Sequence, residues 1–265
     1  MTLGFTVADL LPIASAPGGL KMGLRRVPAS GWLQPRFDRA ARASAFDAHP
    51  DAVVVLPQAE PAAREVAAML GVPGGLTEAA RACWEDLCLL LPGPDGASVL
   101  VGGAVAFPTD WRLADKVGLP LTAVHAPIHG YADKLATGVD HFVATLPPGP
   151  IFSRANWFVV PSPEWRYLPT DDPAERFAHV TPDNAGGTLF VRCERQTLRR
   201  LPESGATLFT IGIAVASLDA LPAELVAAVA RAVAETGPGE YERRAAPHYA
   251  GALAAYACGR AGGAA

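Results

Sequence analysis

Apolar residues along this chain change period several times, and the changes mark out its elements. AEPAAREVAAMLG, from residue 59, and LTEAARACWEDLCLL, from residue 76, repeat apolar positions at helical spacing. Pro61 falls in the first turn of the former and Gly71 stops it, while Thr77 stands as a candidate N-cap of the latter with Leu76 before it. The tail of the second run already reads as strand. Residues 87–107, within DLCLLLPGPDGASVLVGGAVAFP, are two apolar runs split by PGPDG, which predicts an antiparallel hairpin.

Gly and Pro then cut the chain into short helices and loops, with ADKLATGVDHFVATL the longest helical candidate. Three strands follow, at 155–161, 187–202 and 206–217, and the short LPESGA link suits a hairpin between the last two. LPAELVAAVARAVAETG carries Leu221, Leu225 and Val229 at i, i+4 and i+8, and a second Ala-rich helix is expected over 240–258. The first 50 residues show no sustained period and read as a wrapping arm with irregular turns.

A hairpin, a helical insert and three further strands do not make a parallel sheet, because neither hairpin link has crossover length. The pattern predicts an α+β fold: an antiparallel sheet with one helix-covered face, a pocket under the insert, and flanking N- and C-terminal helices.

Composition adds exclusions. The chain has 265 residues, 50% of them hydrophobic and 18% charged, enough for a substantial core. A net charge of -4 supplies no basic field for nucleic acid or an anionic membrane surface. Asp9 precedes the first bases, the reverse of a secretory signal, so a cytoplasmic chain is expected. Cys83, Cys88, Cys193 and Cys258 have no metal-site spacing and read as small buried hydrophobes. Elbow, P-loop and dinucleotide-binding signatures of hydrolases, NTPases and dehydrogenases are missing.

Two features carry candidate chemistry. VHAPIHGY places His125 and His129 in the insert, where Pro127 argues against a regular helix and hence against a paired zinc site. One imidazole acting alone is enough to hold haem iron. FVRCERQTLRRLP sets Arg192, Glu194 and Gln196 on one strand face and Cys193, Arg195 and Thr197 on the other. A carboxylate between polar neighbours on a central strand requires a wet pocket or an ion-pair network, and both readings stand at this point. Arg199 and Arg200 end the strand, where they reach solvent or an anionic cofactor edge. On the preceding strand Arg154 and Asn156 share a face and Trp157 points the other way, into the core.

PTDWRLADKVGLPLTAVHAPIHGY, then RANW, then VRCERQTLRRLPESGATLFTIGI together resemble the alpha-subunit-like family of haem-dependent oxidative N-demethylases, over roughly residues 25 to 235. The resemblance implies a PAS-like fold over residues 51–260, with residues 1–50 as the arm, holding haem b on its sheet. It implies a monooxygenase that oxidises a small secondary amine to a primary amine and formaldehyde. Dioxygen is the co-substrate, and electrons come from NADPH through a separate flavin and [2Fe–2S] reductase partner.

Carried onto this chain, His125 is the first choice for the iron ligand and His129 the second, since relatives have a valine-proline pair where Ile128 and His129 stand. Glu194, Asn156 and Arg154 are the catalytic candidates, from the ERQ and RxNW motifs. Arg192, Gln196 and Arg199 join the two histidines as cofactor-binding candidates. A haem-based gas or redox sensor and a non-catalytic family member are the competing expectations. Neither nucleic acid nor membrane is an expected partner.

Overall fold

The computed structural model describes residues 4–14, 22–128 and 130–262. Seven strands, β1 (Arg25–Val27), β2 (Val53–Val55), β3 (Asp86–Pro92), β4 (Ser98–Ala104), β5 (Ile151–Val160), β6 (Phe190–Arg200) and β7 (Thr207–Ser217), form an antiparallel sheet. Its order is β1-β5-β6-β7-β3-β4-β2. The predicted hairpin is β3–β4, and the three later strands are β5, β6 and β7. The two edge strands were not expected: with three residues each, they carry too few alternations to register as a period.

The chain divides into two compact units. Of the described residues, one holds 4, 22–128, 130–154 and 195–213 and the other 5–14, 155–194 and 214–262, so the division runs through β5, β6 and β7.

In the first unit, helices lie on both faces of the sheet, not one. Consecutive glycines of β4 show this. A Cβ on Gly102 would meet Ala59, which leads into the helix Glu60–Met69, whereas a Cβ on Gly103 would meet Leu113 of the insert at 2.7 Å. A β-bulge helps: Leu89 pairs with Gly102 but Leu90 pairs with Leu100, skipping Val101. The extra residue brings Leu100 onto the insert side along with Gly103. There Leu100, Cys88, Leu90 and Leu198 meet Leu113, Leu121, Val143 and Leu146 in one apolar cluster.

The expected arm contains a ten-residue helix, Arg39–Ala48, started by Asp38, whose carboxylate accepts the Ala41 N–H at 3.0 Å. Its inward residues are Phe46 and Arg42, the latter wholly buried. A guanidinium in the apolar stripe hides the helical period from a sequence reading. Arg42 donates to Asp86 (2.8 Å), to the Ala80 carbonyl (3.0 Å) and to the Glu85 carbonyl (2.6 Å), between the rings of Phe46 and Phe107. Asp86 also accepts the N–H groups of Ala106 and Phe107, fixing the turn that leaves β4.

The helix Leu76–Ala82 starts two residues earlier than an N-cap at Thr77 would place it. Gly75 is its N-cap, and Glu78 accepts the Gly75 N–H at 2.8 Å. The insert contains Leu121–Val124, a π-helical turn Ala132–Ala136 and Thr137–Thr145. Arg200 closes the last of these by donating to the carbonyls of Val143, Ala144 and Leu146.

In the second unit, the helix Ala223–Ala234 buries Val226, Val229 and Val233. The expected stripe was Leu221, Leu225 and Val229; Pro222 delays the helix start past Leu221, which is buried in the approach. The expected helix over 240–258 is two, Pro238–Arg243 and Ala250–Gly262, broken at Ala245 with φ of 56°. Three cysteines are buried and free as expected, but Cys258 is exposed on the last helix.

Candidate functional site

His125 ends the single helical turn Leu121–Val124, which Pro120 opens. Its own N–H bonds to the Leu121 carbonyl at 3.0 Å, and its Nδ1 lies 2.8 Å from the same oxygen. Because a carbonyl only accepts, Nδ1 carries the proton and Nε2 keeps a lone pair. Burial lowers the imidazole pKa, and the charges of Lys116 and Arg154 lower it further against the pull of the Leu121 carbonyl and Asp140. The ring is therefore a neutral imidazole with one nitrogen tied to the backbone and the other available. This is the state in which histidine binds a metal, with its second nitrogen setting tautomer and orientation.

Tyr131 lies against it. The two rings are 4.4 Å apart between centroids and inclined by 21°. Tyr131 is 5% exposed, burial pushes its phenol up to about 12, and its Oη has no hydrogen-bond partner among the described residues. Arg154 and Asp140 act electrostatically on both rings. Lys116 braces the turn from below, its Nζ donating to the Val124 carbonyl at 3.0 Å. Tyr131 was not singled out from the sequence, since a six-residue separation across Pro127 and Gly130 matches no regular contact spacing.

The other sequence-predicted residues divide. His129 lies outside the described residues. Gln196 sits in the first unit with His125 and Arg154, half-buried, on the β6 face that also bears Leu198 of the cluster under the insert. Arg199 points to the opposite face, its guanidinium 4.4 Å from the centre of the Trp32 ring. Arg195, on that same face, donates to the carbonyls of Trp32 and Gly31.

Arg192, Glu194 and Asn156 belong to the second unit. Arg192 is fully buried and donates to the carbonyls of Glu164 (3.0 Å) and Trp165 (2.7 Å), holding that loop. Glu194 is 7% exposed on the same strand face. Asn156 shares its β5 face with Arg154, and its Oδ1 is buried without a hydrogen-bond partner among the described residues. Trp157 faces the other way and is buried.

Glu85, also unremarked in the sequence, is 1% exposed beneath Gly212 of β7. Its Oε1 accepts the Gln34 N–H at 2.7 Å. Burial raises its pKa to about 7, opposed by that hydrogen bond and by the charges of Arg195 and Arg42.

No cluster of three or more His, Cys, Asp or Glu side chains suited to a bare metal ion occurs among the described residues. At this site His125 presents a neutral imidazole with one nitrogen held by the backbone. The model of the haem-dependent oxidative N-demethylase, alpha subunit-like family matches residues 75–253. The chain belongs to that family. The match takes in His125, Tyr131, Arg154, Asn156 and the whole of β6, and runs through both units without a break. An association with haem and with oxidoreductase chemistry follows from the membership. No helix among the described residues is long and apolar enough to cross a membrane.

Proposed function

We propose that this chain is the haem-bearing, oxygen-activating component of an oxidative N-demethylase, acting on a small secondary amine in a PAS-like domain over residues 51–260. The observation that carries the reading is His125: a neutral imidazole with Nδ1 tied to Leu121 and Nε2 left with its lone pair, inside the segment matched by the family. The chain order of hairpin, helical insert and three strands supports the PAS-like assignment.

His125 holds the iron through Nε2, and the Leu121 carbonyl keeps the imidazole in the required tautomer. Haem, when bound, supplies dioxygen activation. In the overall reaction one N-methyl group, dioxygen, two electrons and two protons give the demethylated amine, formaldehyde and water. A separate reductase delivers the electrons from NADPH through flavin and a [2Fe–2S] cluster. Glu194, carried by the ERQ motif, is the candidate group for taking the proton of the amine's ammonium form. Within the first unit the Arg154 charge balances negative charge near His125; Asn156, in the second, is a catalytic candidate through the RxNW motif.

Purified protein reconstituted with haem is expected to show a Soret band. With dioxygen and a reductant it is expected to release formaldehyde from methylated secondary amines. Failure to bind haem in both the oxidised and the reduced state overturns the proposal; a stable oxygenated complex that no amine alters favours the sensor.

A further inference from the structure

Tyr131 has a ring with a partner and a hydroxyl without one. The ring stacks on His125, while the buried Oη meets no hydrogen-bonding group among the described residues. A phenylalanine would make the same stack and leave no buried polar atom unmet. Folding alone therefore disfavours the hydroxyl, since a buried donor without an acceptor lowers stability. It is well formed for a task outside the apo fold: it sits beside the His125 imidazole, whose Nε2 keeps its lone pair, within electrostatic reach of Asp140 and of Arg154 on β5.

We infer that Tyr131 is a second ligand-contacting residue of the His125 site, its ring setting the plane of the imidazole and its O–H donating to a carboxylate of the bound ligand. The inference rests on the reading of His125 as the haem ligand. Asp140 and Arg154 act on the phenol with opposite signs, and the strongest acceptor an O–H can meet is a charged one, since a charge-assisted hydrogen bond is roughly twice as strong as a neutral one. Two molecules bring a carboxylate to such a place. Haem carries two on its edge, and an N-methyl amino acid carries one in a substrate.

Tyr131→Phe and Tyr131→Leu separate the hydroxyl from the ring. Wild type, both variants and His125→Ala are loaded with iron protoporphyrin IX and, separately, with its dimethyl ester, in which the carboxylates are blocked. Apo Tyr131→Phe is expected to melt no lower than wild type. If the carboxylate is that of haem, Tyr131→Phe releases protoporphyrin about tenfold faster, as for loss of one charge-assisted hydrogen bond, and releases the dimethyl ester at the wild-type rate. If the carboxylate belongs to the substrate, haem release is unchanged, and N-methylglycine shifts the wild-type Soret band but not that of Tyr131→Phe, with dimethylamine as control. Tyr131→Leu is expected to shift the iron–histidine stretch in resonance Raman spectra, which Tyr131→Phe leaves in place.

Wild-type behaviour of Tyr131→Phe toward both haem and N-methylglycine overturns the inference while the haem reading stands. A wild type that binds no haem, or a His125→Ala protein with an unaltered spectrum, overturns the reading of His125 and this inference with it. The phenylalanine variant carries the test if the leucine variant does not fold.

Discussion

A single proton placement decides what His125 can do. With Nδ1–H committed to the Leu121 carbonyl, the imidazole has one direction left in which to bind. Replacing it by alanine removes that nitrogen from the site. His125→Ala is expected to lose stable haem incorporation, read as loss of the Soret band at unchanged protein yield and far-UV circular dichroism. Glu194 separates chemistry from scaffold. Glu194→Gln keeps shape and removes charge, so haem occupancy should hold while formaldehyde release falls about 10²-fold, the range for a positioned acid–base group. Unchanged turnover per haem, with a lowered melting temperature, would make Glu194 part of an ion-pair network instead. At this scale the sequence was legible where chemistry is local. The alternating face of β6 could be picked out from a short motif. Tyr131 and Glu85 could not, because their significance arises from a stacked ring and from burial under Gly212, and neither contact has a spacing rule.

Elements were legible in proportion to how cleanly their apolar stripe is written. The hairpin β3–β4 and the long strands β5, β6 and β7 have uninterrupted apolar or alternating runs, and all five were recovered. The helix Arg39–Ala48 was lost because Arg42 occupies a core position. That residue holds the helix to the start of β3 through Asp86, with both side chains at most 1% exposed. Removing one partner leaves the other charge buried and unmatched. Arg42→Ala is therefore expected to cost about 3–5 kcal/mol, measured as a drop in the urea midpoint at constant m-value. Arg42→Met, which refills the space beside Phe46 and Phe107, should recover only the packing share of that loss, since Asp86 is still without its guanidinium partner.

For the molecule as a whole, acid strength and stability are linked through Glu85. Its folded pKa of about 7 lies above the usual carboxylate range, so the folded state binds this proton more tightly than the unfolded chain does. The resulting stability is full below the ordinary carboxylate pKa, is lost as pH rises through about 7, and stays lost above it. Melting temperature is expected to fall between pH 5 and pH 8 in the wild type, and Glu85→Gln to flatten that fall. An identical slope in both proteins would assign the pH dependence to other groups. The fold class could be read ahead of the structure because strand order along the chain restricts the possible sheets. Helical cover on both faces could not, since it depends on the Val101 bulge turning Leu100 toward the insert while Gly102 faces Ala59. Nor could the division into two units, whose boundaries pass through strands and leave no linker composition to find.

The π-helical turn Ala132–Ala136 sits directly between Tyr131 and the helix that covers the sheet. Such a turn stores one residue more than an α-helical turn. Deleting a single residue there would let the segment rewind as α-helix, with Val139, Phe142 and Val143 still seated on their apolar neighbours. Because one full turn replaces another, the residues upstream would keep their direction, and the Tyr131 ring would stay against the imidazole. The segment thus works as a slack link: one residue can be taken out without changing the aim at one end or the anchorage at the other.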